Sequence, residues 1–554
     1  MWTIVRCPVL PVLLPSAPLT RVHNRTVGLA LAAITAAWVV VVSGSVTSAT
    51  SATKIAGPHQ SKLDRILQQG IRSGVSPESN IRVIIRARSG RGAALRTRLS
   101  QRVLKEHPFI GAMTARVRVG DLSVLESDSD VLSVSLDIDV AGGSSTAAGA
   151  AALSAAASLN LPAGLTGRGV GVVTIDSGVD PGRDFGPIAF VDFTNALAIH
   201  PYDDFGHGTH VAGLIAGKST VFPGVAPRAR LISLKVLDAR GVAATSTVID
   251  AIQYAIANRR ALGIDVMNLS LGHPILEPAA TDPLVQAVEA ASRAGIIVVV
   301  AAGNFGRNLV SGVPGYAGIL SPGNAESVIT AGAVDTRNTT QKSDDAVEAY
   351  SSRGPTWYDA RLKPDVVAPG HNLVSAAAPG STLFTELPDH QVSANGSSMR
   401  YFRLSGTSMA AAVTSGLVAL MIEANRAASQ WALTPAAAKR ILEYSATPLP
   451  GFDALTQGHG EIDGGAAIAL AAQPPPPASG FWDRSWMAAW DKRAVWGDGA
   501  SRPVWSSNVV WSTSLEGDTI VWGTSMNGDT IVWGTTLDWG DTIVWGTSAT
   551  YDNK

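Results

Sequence analysis

Residues 169–180 read GVGVVTIDSGVD: a short run of valine, isoleucine and glycine closed at once by Asp-Ser-Gly. Such a run, apolar at nearly every position, fits a strand covered on both faces better than one with a wet side. Working outward, the same short apolar runs return in ARLISLKVL (229–237), IDVMNLSLG (264–272) and IIVVVAAGN (296–304). Between them lie amphipathic stretches at helical spacing, HGTHVAGLIAG (207–217), TSTVIDAIQYAIANRRA (245–261) and PLVQAVEAASRAG (283–295). Strands alternating with helices imply an α/β, doubly wound, mostly parallel sheet with helices on both faces. In such sheets reactive groups collect at the carboxyl edge, where Asp176 already stands.

The chain has 554 residues, more than one core accounts for. Its 43 lysines and arginines nearly cancel 44 aspartates and glutamates, so no global field favours nucleic acid or an anionic membrane surface. The single cysteine, Cys7, lies near the N-terminus. The uncharged run VGLALAAITAAWVVVV (27–42) follows Arg21, His23 and Arg25 and precedes SGSVTSATSAT, an order that reads as a signal peptide over 1–49. A membrane anchor is the competing reading, although the run is shorter than the usual span of about 20 residues. Cleavage would make the protein secreted and leave it without a thiol, so neither disulfides nor thiol catalysis are expected.

Residues 54–140 have a different character. NIRVIIRARSG, GAALRTRLSQRVLKE, GAMTARVRVG, DLSVLESDSD and VLSVSLDIDV suggest β-α-β-α-β and a small α+β, ferredoxin-like domain. The Ala/Gly/Ser tract at 141–160 reads as a linker. A main domain follows over 161–472, then the Pro-rich linker QPPPPASG over 473–480. In the tail, 481–554, ten of the fourteen tryptophans fall between 482 and 545, and GDTIVWGT repeats from Gly517, Gly528 and Gly540. Each repeat reads as a turn and a short β-run. Packing onto the main domain and contact with the cell envelope or glycans both stand as roles for this β-rich tail.

Three stretches place reactive side chains beside strand ends: Asp176 after VVTI, His207 opening a helix beside Gly208, and Ser408 in LSGTSMAAAVTSGLVAL (404–420) before a helix expected over about 408–424. Taken singly, each has a plain explanation as a turn, a satisfied core histidine or an N-cap. Together they supply a hydroxyl nucleophile, an imidazole base and a carboxylate to orient it, in one of the recurring chain orders. Asn304 ends another apolar run, where its amide could hold a developing oxyanion with the Ser408 N–H at a helix N-terminus. Thr407 and Ser405 are expected to cap the turn, and Thr414 and Ser415 to pack. No HExxH pattern adjoins His207 and His210, and no GxxxxGK loop is present.

The segments VTIDSGVD, HGTHVAG, GVAP, DVMNLSLG, VVAAGN, YSSRGP, KPDVVAPG and SGTSMA occur in this order over about 165–470, and with them the chain resembles the subtilisin-like serine peptidases, the subtilase family. The resemblance implies a secreted serine endopeptidase acting on proteins or peptides, with Asp176, His207 and Ser408 as its triad and Asn304 as its oxyanion amide. It implies that Ser270, Leu271 and Gly272, with Ala301, Ala302 and Gly303, flank the substrate pocket and pair with an extended strand. It makes residues 54–140 an inhibitor-like propeptide, released by a cut within about 141–160. A catalytically silent binding or scaffold protein of the same fold is the alternative. The chain departs from the family in three places. AAVTSG (411–416) replaces the usual helix sequence after the nucleophile, and His273-Pro274 follow SLG, where they are expected to narrow one pocket wall. The loop LIAGKSTVFPGVAP (214–227) lacks the asparagine pair that holds calcium in many relatives, so no cofactor is certain and calcium is assigned to no residue.

Overall fold

A computed structural model describes residues 61–142, 156–182, 184–307, 314–393, 400–428 and 432–473. The signal segment, most of the first linker and the Trp-rich tail lie outside the described residues.

The N-terminal part runs α1 (Arg65–Arg72), β1 (Asn80–Ala87), α2 (Gly92–Leu99), β2 (Val103–His107), β3 (Ala112–Arg118), α3 (Leu122–Ser127) and β4 (Val131–Leu136). Its four strands form an antiparallel sheet in the order β2-β3-β1-β4. Helices and sheet close on Leu67, Val83, Ile85, Leu95, Val117, Leu122 and Val134. The helical period read over GAALRTRLSQRVLKE fails at its second half. Helix α2 ends at Ser100, whose φ is +44°, and residues 103–107 become an edge strand. Side chains of that strand are mostly exposed, Leu104 among them, so no two-residue alternation marks it in the sequence. VLSVSLDIDV is likewise two strands, because after β4 the chain leaves its own sheet as β5 (Asp139–Gly142). The strand pairing of the N-terminal part thus extends to Gly142, and Leu159, inside the expected linker, is fully buried in the main core.

The main domain continues with β6 (Gly171–Asp176), β7 (Ala189–Asp192), α4 (His207–Ala216), β8 (Arg230–Lys235), β9 (Val242–Ala244), α5 (Thr245–Ala257), α6 (Arg259–Leu262), β10 (Val266–Leu269), β11 (Leu271–Pro274), α7 (Pro283–Arg293) and β12 (Ile297–Ala301). Then come β13 (Leu320–Ser321), β14 (Ile329–Asp335), β15 (Ala346–Val347), β16 (Val366–Pro369), β17 (Leu373–Ala376), α8 (Thr382–Glu386), β18 (Gln391–Ser393) and β19 (Arg400–Leu404). Helices α9 (Thr407–Ala428), α10 (Pro435–Ser445), α11 (Ala454–Gln457) and α12 (Gly464–Ala471) complete it.

The central sheet has the order β15-β14-β12-β10-β6-β8-β7, with β16 also on β14. All its pairings are parallel except β14 with β15. Successive side chains of one strand point to opposite faces. Val172, Val266 and Val299 accordingly pack on α4, α9 and α12, and Val173, Met267 and Val298 on α5 and α7. With both faces covered, every residue of β6, β10 and β12 is buried, which is why those runs lack polar alternation. Helix α9 is long and apolar enough to cross a membrane by length and composition, yet it is buried at the centre of the first face.

Candidate active site

The carboxyl edge of the sheet brings four distant stretches together. Strand β6 ends in Asp176, and His207 is the first residue of α4, preceded by Gly206 at φ +100°. His207 Nδ1 donates to Asp176 Oδ1 at 2.8 Å, and both side chains are buried. The same oxygen accepts the Ser177 N–H at 2.8 Å.

A second carboxylate, which motif reading did not single out, builds this corner. Asp203 Oδ1 accepts from Ser177 Oγ and the Gly206 N–H, and its Oδ2 accepts from the Thr209 N–H and hydroxyl, all at 2.7–2.8 Å. Ser177 Oγ in turn accepts the Gly208 N–H. Asp203 therefore satisfies donors that the helix start leaves open and locks α4 onto the end of β6. Fully buried Lys235 bridges the Ser177 and Leu237 carbonyls from β8. Gly208 lies so close that a Cβ there would stand 2.2 Å from the Gly178 oxygen. Gly208→Ala is expected to lower stability by about 1–3 kcal/mol, since backbone and not a flexible side chain has to move. Denaturant midpoints measured in a Ser408→Ala background, which cannot digest itself, check this; an unchanged midpoint contradicts it.

Ser408 is the second residue of α9, where main-chain N–H groups have no helical acceptor. Its hydroxyl donates to the Ser270 carbonyl at 3.1 Å, and Ser270 Oγ donates back to the Ser408 carbonyl at 2.9 Å. Asn268 Nδ2 donates to Ser270 Oγ, and Ser415 Oγ donates to Asn268 Oδ1, each at 2.9 Å. Ser415, expected only to pack, thus anchors an amide on β10 that orients the residue facing Ser408. Thr414 bonds back to the Ala410 carbonyl within its own helix. Thr407 Oγ1 accepts the Gly303 N–H, and Ser405 Oγ accepts the Asn372 N–H, so both hold the turn as expected.

Asn304 follows the end of β12. Its Oδ1 accepts from the Thr407 N–H and hydroxyl at 3.0 and 3.1 Å. A backbone donor requires the oxygen on that side, so the amide is fixed with Nδ2 turned away from Thr407. His210, on the next face of α4, donates through Nε2 to the Leu373 carbonyl at 3.0 Å, and burial pushes its imidazole down to about 3. It is neutral at working pH and belongs to the core.

Ser270, Leu271 and Gly272 lead into and begin β11, one wall of a groove whose other wall is β9. Between them lies β5 of the N-terminal part, antiparallel to both. Gly142 sits opposite Leu271, Ala141 opposite Gly272, and the Gly142 N–H donates to the Gly241 carbonyl at 3.1 Å. A Cβ on Gly142 would meet Leu237 Cδ1 at 2.9 Å and His207 Nδ1 at 3.3 Å, so this strand runs directly to the imidazole. Ala301, Ala302 and Gly303 stand at the end of β12. Leu320 bridges the two sequence motifs, since a Cβ on Gly303 or Gly272 would come within 2.8 or 3.1 Å of its side chain. His273 lines a small cavity with Asp64, Ser135, Glu277 and Asp282.

For metals, Asp335, Glu348 and His371 bring three donor atoms within 4.8 Å of one another. Glu348 Oε1 lies 3.0 Å from His371 Nδ1 and Asp335 Oδ2 lies 3.3 Å from Arg337 Nε, and no metal is assigned to the group.

A protein-family model described as the subtilase family matches residues 167–461. Serine protease AprX of Bacillus subtilis is 38% identical over 54% of this chain and 66% of its own length. M-protease of Shouchella clausii is 34% identical over 58% of this chain and 72% of its own. The human membrane-bound transcription factor site-1 protease is 31% identical over 57% of this chain, which is 26% of that protein. Among solved structures, fervidolysin from Fervidobacterium pennivorans, described as a keratinolytic enzyme related to subtilisin, superposes with a TM-score of 0.55 at 20% identity, covering 73% of this chain and 63% of its own. That likeness bears on the fold alone.

Proposed function

The chain belongs to the subtilase family, and from that premise we propose that it is a secreted serine endopeptidase that hydrolyses peptide bonds of proteins through an acyl-enzyme on Ser408 and removes its own residues 61–142. Ser408 Oγ attacks the carbonyl; His207 accepts the proton and later delivers it to the leaving amine. Asp176, already bonded to Nδ1, keeps the imidazole tautomer that presents Nε2 to the nucleophile and stabilises the cation formed on proton transfer. The Ser408 N–H and Asn304 Nδ2 hold the oxyanion.

The observation that carries this reading is β5. A peptide strand in the β9–β11 groove, antiparallel to both walls and ending against His207, is what an extended substrate does by adding a strand to a sheet edge. Register supports a self-cut as well. Ser270 lies one residue beyond the partner of Gly142, and its carbonyl accepts the Ser408 hydroxyl, so the bonds just past Gly142 are those next to the nucleophile. Until it leaves, the N-terminal part excludes other substrates from the groove and acts as inhibitor. A fluorophosphonate probe is expected to label the secreted protein at Ser408, and N-terminal sequencing to find a mature start at Gly143 or Ser144. No labelling, or a start beyond residue 156, contradicts the proposal.

A further inference from the structure

The N-terminal part docks on the main domain over more than the groove. Ile84, Ile110, Ala112 and Val140 join the core on the α5 and α7 face. Polar contacts frame this apolar centre: Lys105 meets Asp250, and Asp137 accepts the Ser246 N–H at the start of α5. Arg86 donates to the Ala280 carbonyl at 2.9 Å, and the Arg65 N–H to the Leu276 carbonyl at 3.2 Å. In the middle is the cavity lined by Asp64, Ser135, Leu136 and Ile138 from the N-terminal side and by Thr245, His273, Leu276, Glu277, Asp282 and Pro283 from the main domain.

Three carboxyl groups meet there, and Asp64, Glu277 and Asp282 are 1%, 7% and 1% exposed. Asp64 and Asp282 are committed as helix caps: Asp64 accepts the Leu67 and Leu136 N–H groups, and Asp282 those of Leu284 and Val285. Glu277 caps nothing. Its positive neighbours are Arg86 on β1 and, beside Asp64, Arg65 on α1, while Arg86 spends its bonds on the Ala280 and Thr281 carbonyls and on Gln286. The other titratable groups around it are His273 on β11 and Tyr358, whose hydroxyl donates to the Leu276 carbonyl. With Glu277 protonated, two carboxyl groups face two guanidinium groups; with Glu277 ionised, a third negative charge is sealed between the two parts, eased by the Ser135 and Thr281 hydroxyls and by Arg86, which it shares with Asp282, but held in no close ion pair among the described residues.

We propose that Glu277 is a proton-operated latch: the N-terminal part stays docked, even after cleavage, while Glu277 holds a proton, and loss of that proton drives release of the inhibitor. This rests on reading residues 61–142 as the inhibitory propeptide. Burial, then the charges of Asp282 and Asp64, push the Glu277 carboxyl from its ordinary 4.5 up to about 8 in the docked state. Once the N-terminal part leaves, water reaches it and the ordinary value returns. Below about 4.5 the group is protonated in both states and docking has no pH dependence from this source. Between about 4.5 and about 8 docking takes up one proton, so affinity falls up to about tenfold for each unit of rising pH; above about 8 it levels off.

The test uses the full chain carrying Ser408→Ala, which cannot cut itself, with a site for a specific exogenous protease placed within residues 146–154. After that cut, dissociation of the N-terminal part is followed by gel filtration between pH 5.5 and 7.5. The dissociation constant is expected to rise by about a hundredfold or more over this range, and less than about tenfold with Glu277→Gln added, the remainder coming from Asp64, whose carboxyl burial pushes up to about 6; equal slopes overturn the latch. Should Glu277→Gln not fold, proton release on dissociation at pH 6.5, read in weak buffer without that variant, is expected to be close to one per chain, and none overturns the proposal. Self-cleavage by the unaltered chain is scored separately, so a failed latch and a failed peptidase assignment give different results.

Discussion

Ser408→Ala is expected to lower kcat on casein by about a millionfold and to leave the N-terminal part uncleaved. The serine supplies the only proposed nucleophile, and the residual rate would come from the oxyanion donors and substrate binding alone. Folding should survive. The side chain is 2% exposed and donates to the Ser270 carbonyl, a bond whose loss costs about 1 kcal/mol, and alanine suits the start of a long helix. A variant with wild-type stability that still removes its N-terminal part without added protease would remove Ser408 from the mechanism. Mass spectrometry of the purified chain and a casein assay together decide it.

Asp176→Asn is expected to lower kcat by about ten-thousandfold with KM changed only a few-fold. The amide has the shape of the carboxylate, so β6 and its pairing with β8 and β10 are undisturbed. What changes is charge and polarity at a fully buried imidazole. Asp176 Oδ1 serves two donors, the Ser177 N–H and His207 Nδ1. An amide that keeps its oxygen there has no negative charge to stabilise the cation, and one that turns its NH2 there selects the wrong tautomer. Either orientation is expected to weaken the proposed proton acceptance from Ser408 without touching the groove proposed to bind substrate. Steady-state kinetics on a peptide substrate check the split: a fall of less than tenfold in kcat, or one confined to KM, contradicts the assigned role.

What could be read in advance is what local patterning carries. The central sheet was legible because strands buried on both faces need unbroken Val/Ile/Ala runs, and their carboxyl ends then point to Asp176, Asn304 and the turn before Ser408. Strand β2 was not, because an exposed edge needs no apolar alternation, and so it was absorbed into the preceding helical period.

The sequence by itself determined the fold class and the strand ends and turns on which Asp176, His207, Asn304 and Ser408 stand, since each is set by a few adjacent residues. Tertiary structure alone decided what surrounds them. Asp203 beneath α4, the line from Ser415 through Asn268 and Ser270 to Ser408, β5 seated in the β9–β11 groove and the Asp64–Glu277–Asp282 cluster all join positions far apart in the chain. A buried carboxyl such as Glu277 looks in sequence like any surface glutamate. Its chemistry comes from the low dielectric and the neighbouring charges that only the docked arrangement supplies.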